Sequence, residues 1–251
     1  MASEFHWYEL RTTEPEAAAD FYAKVVGWTA MDVGSAEHPY TVMATEKGGV
    51  AGIGHISLTP DTAPSWVGYV AVDDAEAYVE RLAKAGGTVR TPAEDVPGML
   101  RLANVADPQG TPFVLYHGLQ DGAPPTGAPG ETGYVGWREL IATEAGAAFD
   151  FYSGLFGWTK AAAYNMGPMG TYQLFSAGAE PIGGMMTQPA KGDPPHWNYY
   201  FRVSALGAAI VRLGAAGGML VNGPQQVPSG EWVVQATDPQ GATFHLMSVN
   251  P

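Results

Sequence analysis

The chain has 251 residues, with 12 Lys and Arg against 25 Asp and Glu, six His and no Cys, giving a formal charge of −13. Without a thiol there is no disulfide, thiolate zinc site, iron–sulfur cluster or cysteine nucleophile, and an acidic surface repels phosphate backbones and lipid headgroups, so neither nucleic acid nor membrane is an expected partner. A content of 46% apolar and 15% charged residues marks a globular chain rather than a disordered one, and no run approaches the roughly 20 apolar residues of a membrane helix.

Met1-Ala2-Ser3-Glu4-Phe5-His6 shows no basic stretch leading into an apolar one, so no secretory leader is predicted and the cytoplasm is the expected location. Residues 7–12 alternate like a half-buried strand. Thr13, Pro15 and the acids around them offer a helix start, and residues 17–26 carry Ala18, Phe21, Tyr22 and Val25 at helical spacing before Gly27 stops them. Strands are predicted near 28–33, 40–45 and 50–58, and another over 66–72. Asp73-Asp74 then caps a second helix over 75–85, which ends at Gly86-Gly87. Three more short strands lead through the turn Asp107-Pro108-Gln109-Gly110 into a last strand over 111–117.

The pattern is then repeated. Residues 7–28 align without a gap to 137–158 with 12 of 22 positions identical, and Trp66, Gly86-Gly87 and Asp107-Pro108-Gln109-Gly110 recur as Trp197, Gly217-Gly218 and Asp238-Pro239-Gln240-Gly241. Six of the seven tryptophans fall into pairs. The predicted organisation is a first domain over 1–117, a Gly/Pro-rich linker over 118–133 and a second domain over 134–251, with two βαβββ units in each.

A strand, then Phe21-Tyr22, Gly27-Trp28 and an Asp-Pro-x-Gly turn before a terminal strand, present in both copies, resembles the vicinal oxygen chelate superfamily. That superfamily includes glyoxalase I, extradiol dioxygenases, epimerases and bleomycin-resistance proteins. The likeness is strongest to its tandem two-domain subgroup from actinobacteria, often labelled hydroxylase or glyoxalase-like. The resemblance implies an α+β fold of four βαβββ units forming two tandem half-open β-barrel domains, and a small-molecule ligand bound by a monomer or homodimer. It further implies metal-ligand positions that fall on Trp7, Val67 and Val114 in the first copy and on Trp137, Asn198 and His245 in the second. These sets are poor in metal donors. His6, His38, His55, His117, His196 and His245 also fail to repeat with the scaffold. No cofactor is therefore expected, with a divalent metal held by Glu139 and His245 as the lesser alternative.

Alternation sends Trp7, Glu9 and Arg11 to one face of the first strand, and Trp137 and Glu139 to the matching face of its repeat. In relatives that face lines the half-open barrel, where a desolvated carboxylate suits acid–base work. The candidate catalytic residues are Glu139, His245 and Asn198. The candidate substrate-binding residues are Trp7, Glu9, Trp66, Tyr69, Trp137, Trp197, Tyr200 and Met247, with stacking on a flat ligand as their expected role. Each has a structural alternative: the glutamates pairing with an arginine, His245 as a satisfied core residue, the aromatic rings as core. Trp28, Trp158, Phe21, Tyr22, Phe151 and Tyr152 are read as core. The expected function is a metal-independent isomerase, lyase or cyclase acting on a hydrophobic carbonyl compound. A sequestering, resistance-type binding protein and a metal-dependent glyoxalase or dioxygenase are the alternatives.

Overall fold

The structure, a computed structural model, describes residues 3–35, 39–57, 63–96, 99–118, 130–188 and 194–251. Most of the expected linker, residues 119–129, lies outside the described residues, as does His38. The elements in chain order are β1 Phe5–Thr12, α1 Pro15–Val26, β2 Thr29–Asp32, β3 Tyr40–Thr45, β4 Gly48–His55, β5 Ser65–Ala71, α2 Ala75–Lys84, β6 Thr88–Val96, β7 Leu100–Ala106 and β8 Pro112–Gly118. The second copy continues with β9 Val135–Ala142, α3 Ala145–Phe156, β10 Thr159–Asn165, β11 Thr171–Ser176, β12 Pro181–Thr187, β13 His196–Arg202, α4 Leu206–Ala215, β14 Met219–Gln226, β15 Trp232–Thr237 and β16 Thr243–Ser248. Four βαβββ modules are thus present, as expected from the sequence.

Each module uses the same logic. Its first strand pairs in parallel with its last, as β1 with β4, β5 with β8, β9 with β12 and β13 with β16. A parallel pair needs a crossover, and the helix of the module supplies it. The remaining strands join by antiparallel ladders, and the two sheets have the orders β2-β3-β4-β1-β5-β8-β7-β6 and β10-β11-β12-β9-β13-β16-β15-β14. Neither order closes on itself. Among the described residues no helix is long and apolar enough to cross a membrane.

Helix α1 begins one residue later than a Thr13 cap would place it: Glu14 is the N-cap, makes no side-chain cap bond, and Pro15 follows. Proline suits that first position because its missing N–H is not needed there. In the repeat, Glu144 caps α3 with both carboxylate oxygens, on the backbone N–H of Gly146 and Ala147 at 3.0 and 2.7 Å. Those two bonds hold its carboxyl below the usual glutamate range. Asp74 caps α2 as expected, accepting from Ala77 N at 3.0 Å.

Two compact units interleave the repeats. One comprises Met1–His6, Val67–Ala123 and Arg138–Trp197; the other comprises Trp7–Trp66, Pro124–Trp137 and Asn198–Pro251. In the latter, Tyr22 of α1 lies edge-on to Trp66 and Phe244, both at 5.1 Å, and Trp66 packs on Phe201 at 4.7 Å. The Tyr22 hydroxyl accepts from Trp66 Nε1 at 2.9 Å and donates to Asp238 Oδ2 at 3.1 Å. The other unit repeats this arrangement, with Trp197 Nε1 donating to the Tyr152 hydroxyl at 3.1 Å and Tyr152 donating to Asp107 Oδ2 at 3.2 Å. The second oxygen of each aspartate closes its own turn, Asp107 on Gln109 N and Thr111 N, Asp238 on Gln240 N and Ala242 N. The repeated Asp-Pro-x-Gly motif is therefore a turn and a latch at once. The aromatic residues read as core, Trp28, Trp158, Phe21, Tyr22, Phe151 and Tyr152, are all buried.

Candidate functional site

Strand β1 sorts its side chains by parity. Tyr8, Leu10 and Thr12 are buried, whereas Trp7, Glu9 and Arg11 project from the opposite, helix-free face and are half-buried. There they form a chain of hydrogen bonds with a residue of β3. Arg11 Nε donates to Glu9 Oε1 at 2.8 Å, Trp7 Nε1 donates to the Tyr40 hydroxyl at 3.0 Å, and Tyr40 donates to Glu9 Oε2 at 3.4 Å. Burial first, and then the negative charge of Glu9, push the Tyr40 phenol well above its ordinary range, so it is a neutral donor.

Tyr40 was not legible as a site residue from β1 alone. Its ring lies where β4 carries no side chain, since a Cβ on Gly52 would sit 1.9 Å from the Tyr40 hydroxyl. The signal was present in the repeat: Tyr172 lies in the same way over Gly184, whose Cβ would fall 2.5 Å from the Tyr172 hydroxyl. Tyr40 and Tyr172, and Gly52 and Gly184, are each separated by the same interval.

In the second copy, Glu139 of β9 is half-buried and stands in register with Gly184, on the face where Tyr172 lies. It belongs to the unit containing Arg138–Trp197. The other unit holds Asn198, Tyr200, His245 and Met247, all buried. Tyr200 registers with His245 across the parallel β13–β16 pair, and their rings lie 4.5 Å apart with a 32° tilt. Gln235 of β15 stands opposite His245 and Val233 opposite Met247. Tyr200, Val233 and Met247 form one buried apolar cluster against which Trp137 and Val227 pack. At its edge Arg202 Nη1 is paired with Glu231 Oε1 at 2.5 Å. In the first copy the equivalent register sets Tyr69 against Val114, with Tyr116 edge-on to Tyr69 at 6.2 Å.

The structure thus joins Trp7 and Glu9 in one network, and Trp137, Tyr200, His245 and Met247 in another neighbourhood. Trp66 and Trp197 belong with neither. Trp66 is an odd number of residues from Tyr69, and Trp197 from Tyr200, so alternation turns each tryptophan to the face that bears the helices. There their indole N–H groups bond the Tyr22 and Tyr152 hydroxyls. Both are scaffold residues rather than walls of a ligand face.

The positions at which metal-using relatives carry ligands do not suit a divalent ion. Trp7 spends its indole N–H on Tyr40 and Val114 packs opposite Tyr69; Trp137, Asn198 and His245 together offer a single strong donor. Among the described residues no three His, Asp or Glu side chains gather in a group that could hold a metal.

The chain belongs to the Glyoxalase/Bleomycin resistance protein/Dioxygenase superfamily, whose family model matches residues 4–115 and again 134–246. It is 32% identical over 255 residues to the glyoxylase-like protein CFP32 of Mycobacterium tuberculosis, covering 98% of this chain and 95% of that one. It is 33% identical over 259 residues to the anthracycline biosynthesis protein DnrV of Streptomyces peucetius, covering 97% of this chain and 92% of that one. Among solved structures it resembles the Mn(II)-bound glyoxalase from Novosphingobium aromaticivorans, with a TM-score of 0.70 at 16% identity over 100% of this chain and 83% of that one. It likewise resembles the 2,3-dioxygenase LapB from Pseudomonas sp. KL28, with a TM-score of 0.69 at 14% identity over 100% and 94% of the two chains. These structural likenesses concern the fold.

Proposed function

We propose that this protein binds a flat, hydrophobic, carbonyl-bearing small molecule on the helix-free face of the second copy and rearranges it by metal-independent proton transfer, as an isomerase, lyase or cyclase. The observation that carries this reading is the buried Tyr200–His245 pair with Asn198, Val233 and Met247 on the same face. That face is an aromatic and apolar wall holding one imidazole and two amides, those of Asn198 and Gln235. An imidazole takes up and returns a proton near neutral pH. The Asn198 amide donates to a carbonyl oxygen and favours the charge that develops there as a neighbouring C–H is deprotonated. Tyr200, Trp137 and Met247 supply ring and thioether surface for a planar ligand. Glu139 of β9, half-buried, is a separate candidate acid–base group. The likeness to DnrV, a protein of anthracycline biosynthesis, supports a polycyclic aromatic ligand, and the poor donor set at the ligand positions supports chemistry without a metal.

Sequestration without turnover is the second reading. It is favoured by the first copy, where Val114 stands in the register position of His245 and brings no acid–base group.

The test is a panel of anthraquinones and cyclic dicarbonyls, followed for binding by tryptophan fluorescence and for conversion by chromatography. Under the enzyme reading His245→Ala or Glu139→Gln binds within a few-fold of the unaltered protein but loses turnover by about 100-fold or more. Binding with no conversion of any compound favours sequestration. Activity that a chelator removes and one added divalent metal restores would sink the metal-independent reading.

A further inference from the structure

One rung of the repeat differs in kind between the copies. In the first, Arg11 of β1 registers with Gly54 of β4; in the second, Ile141 of β9 registers with Met186 of β12. The same place in the fold holds a guanidinium beside a missing side chain in one copy and two apolar side chains in the other. Gly54 is not demanded by the backbone, since it is not among the glycines with positive φ. Nor is it demanded by crowding: an added Cβ would meet the Glu9 carboxyl and the Tyr40 ring at 3.7 Å, ordinary van der Waals contact. Gly52 is the contrast, because Tyr40 already occupies its space. Gly54 therefore leaves room for at least a methyl group directly beside a carboxylate, where the second copy has placed methionine.

We propose that this gap is a second ligand site, separate from the one assigned to the second copy, and that it takes the hydroxyl-bearing edge of a neutral aromatic molecule, a phenol or an enol. The Glu9 side chain is 12% exposed and that of Arg11 30%, so the ion pair is half-sheltered yet open to solvent. The ligand hydroxyl donates a hydrogen bond to the Glu9 carboxylate, the guanidinium donates to the same ligand oxygen, and the Trp7 indole flanks the ring. A carboxylate ligand meets the like charge of Glu9 and an amine meets that of Arg11, whereas a neutral hydroxyl suits both. Arg11 Nε and the Tyr40 hydroxyl already orient the Glu9 oxygens, so the acceptor is preorganised and little ordering is needed on binding.

The experiment titrates the full chain with 1,4-dihydroxyanthraquinone, and with unsubstituted anthraquinone for comparison, reading stoichiometry by absorbance and tryptophan quenching. Two equivalents of the dihydroxy compound are expected on the unaltered protein and one on Gly54→Met, a substitution that installs the residue the other copy carries. Glu9→Gln should keep two equivalents but weaken one about tenfold, the loss of one charge-assisted hydrogen bond. Thermal melting checks that each variant is folded, and Arg11→Ile, the residue of the repeat, replaces Gly54→Met if that variant is not. Unchanged stoichiometry in the folded Gly54→Met or Arg11→Ile protein overturns the proposal, as does absence of binding by the dihydroxy compound. Equal affinity of the Gly54-dependent site for unsubstituted anthraquinone overturns the hydroxyl recognition. A single equivalent on the unaltered protein that persists in Gly54→Met removes the first-copy site and leaves the second-copy reading intact. A single equivalent that vanishes in Gly54→Met does the reverse.

Discussion

The Tyr22 hydroxyl donates to Asp238 Oδ2 at 3.1 Å across 216 positions of chain, and Tyr152 makes the reciprocal bond to Asp107 at 3.2 Å. Each tyrosine also accepts from a tryptophan, so its oxygen is used in both directions in a fully buried setting. Removing that oxygen orphans an indole N–H and one aspartate oxygen together. Tyr22→Phe and Tyr152→Phe are each expected to cost about 1–3 kcal/mol, measured by urea unfolding. A loss under a few tenths of a kcal/mol would show that water or rearrangement replaces the latch.

Burial raises the Asp238 carboxyl above the ordinary aspartate value, against the pull of its hydrogen bonds from Ala242, Tyr22 and Gln240. An acid whose pKa is higher in the folded state stabilises the fold when protonated. Its contribution is full below the unfolded value and falls away as pH rises through the folded one. Asp238→Asn has no such titration. The stability of the unaltered protein relative to Asp238→Asn should therefore decline as pH rises through the range just above that of an ordinary aspartate, then level off. Chemical unfolding at stepped pH checks the sign, and a difference that rises with pH contradicts it.

Gly52 makes room for Tyr40. Gly52→Ala sets a methyl 1.9 Å from where the Tyr40 hydroxyl lies, so the ring must leave and its bonds to Trp7 and Glu9 must break. Overpacking of this kind costs about 1–3 kcal/mol. Adding Tyr40→Leu, which vacates the space, should recover most of the stability lost to Gly52→Ala. Failure of the double variant to recover would locate the strain in β4 itself.

The two roles of tryptophan separate by substitution. Trp66→Phe loses the bond to Tyr22 and packing in the aromatic core, so it should lower stability while leaving ligand-induced quenching intact. Trp137→Phe lies beside Tyr200 and Met247 and should do the opposite, reducing the quenching by an anthraquinone while melting within a few degrees of the unaltered protein. Equal effects of the two on quenching would place Trp66 at the ligand face after all.

Much of the scaffold was legible because it is written twice. Identical residues at a constant interval mark positions that packing requires, and Trp28, Trp158, Tyr22 and Tyr152 do occupy matching core positions. The candidate site was harder to read for a reason of geometry. Alternation says that Asn198 and Tyr200 share a face and that Trp197 takes the other, but grouping all nearby aromatic residues ignores that parity, and Trp66 and Trp197 were drawn to the wrong side. Tyr40 was hidden differently. Its partner is an empty place at Gly52, and a missing side chain signals nothing until the strand pairing shows what fills it. Glu9 and Trp7 could be placed from β1 alone, but the hydroxyl that links them comes from another strand.

The crossed latches tie the histories of the two repeats together. A change in the turn at Asp107 is felt by a helix of the other repeat, and a change at Asp238 by α1 of the first. Recombination that imports one repeat from a relative must therefore bring residues compatible with the tyrosine and aspartate it meets. On the helix-free faces the repeats differ: Arg11 stands where the other copy has Ile141, Gly54 where it has Met186, and Val114 where it has His245. Duplication in this protein has bound the scaffold into a pair, while these positions of the helix-free faces carry different chemistry in each copy.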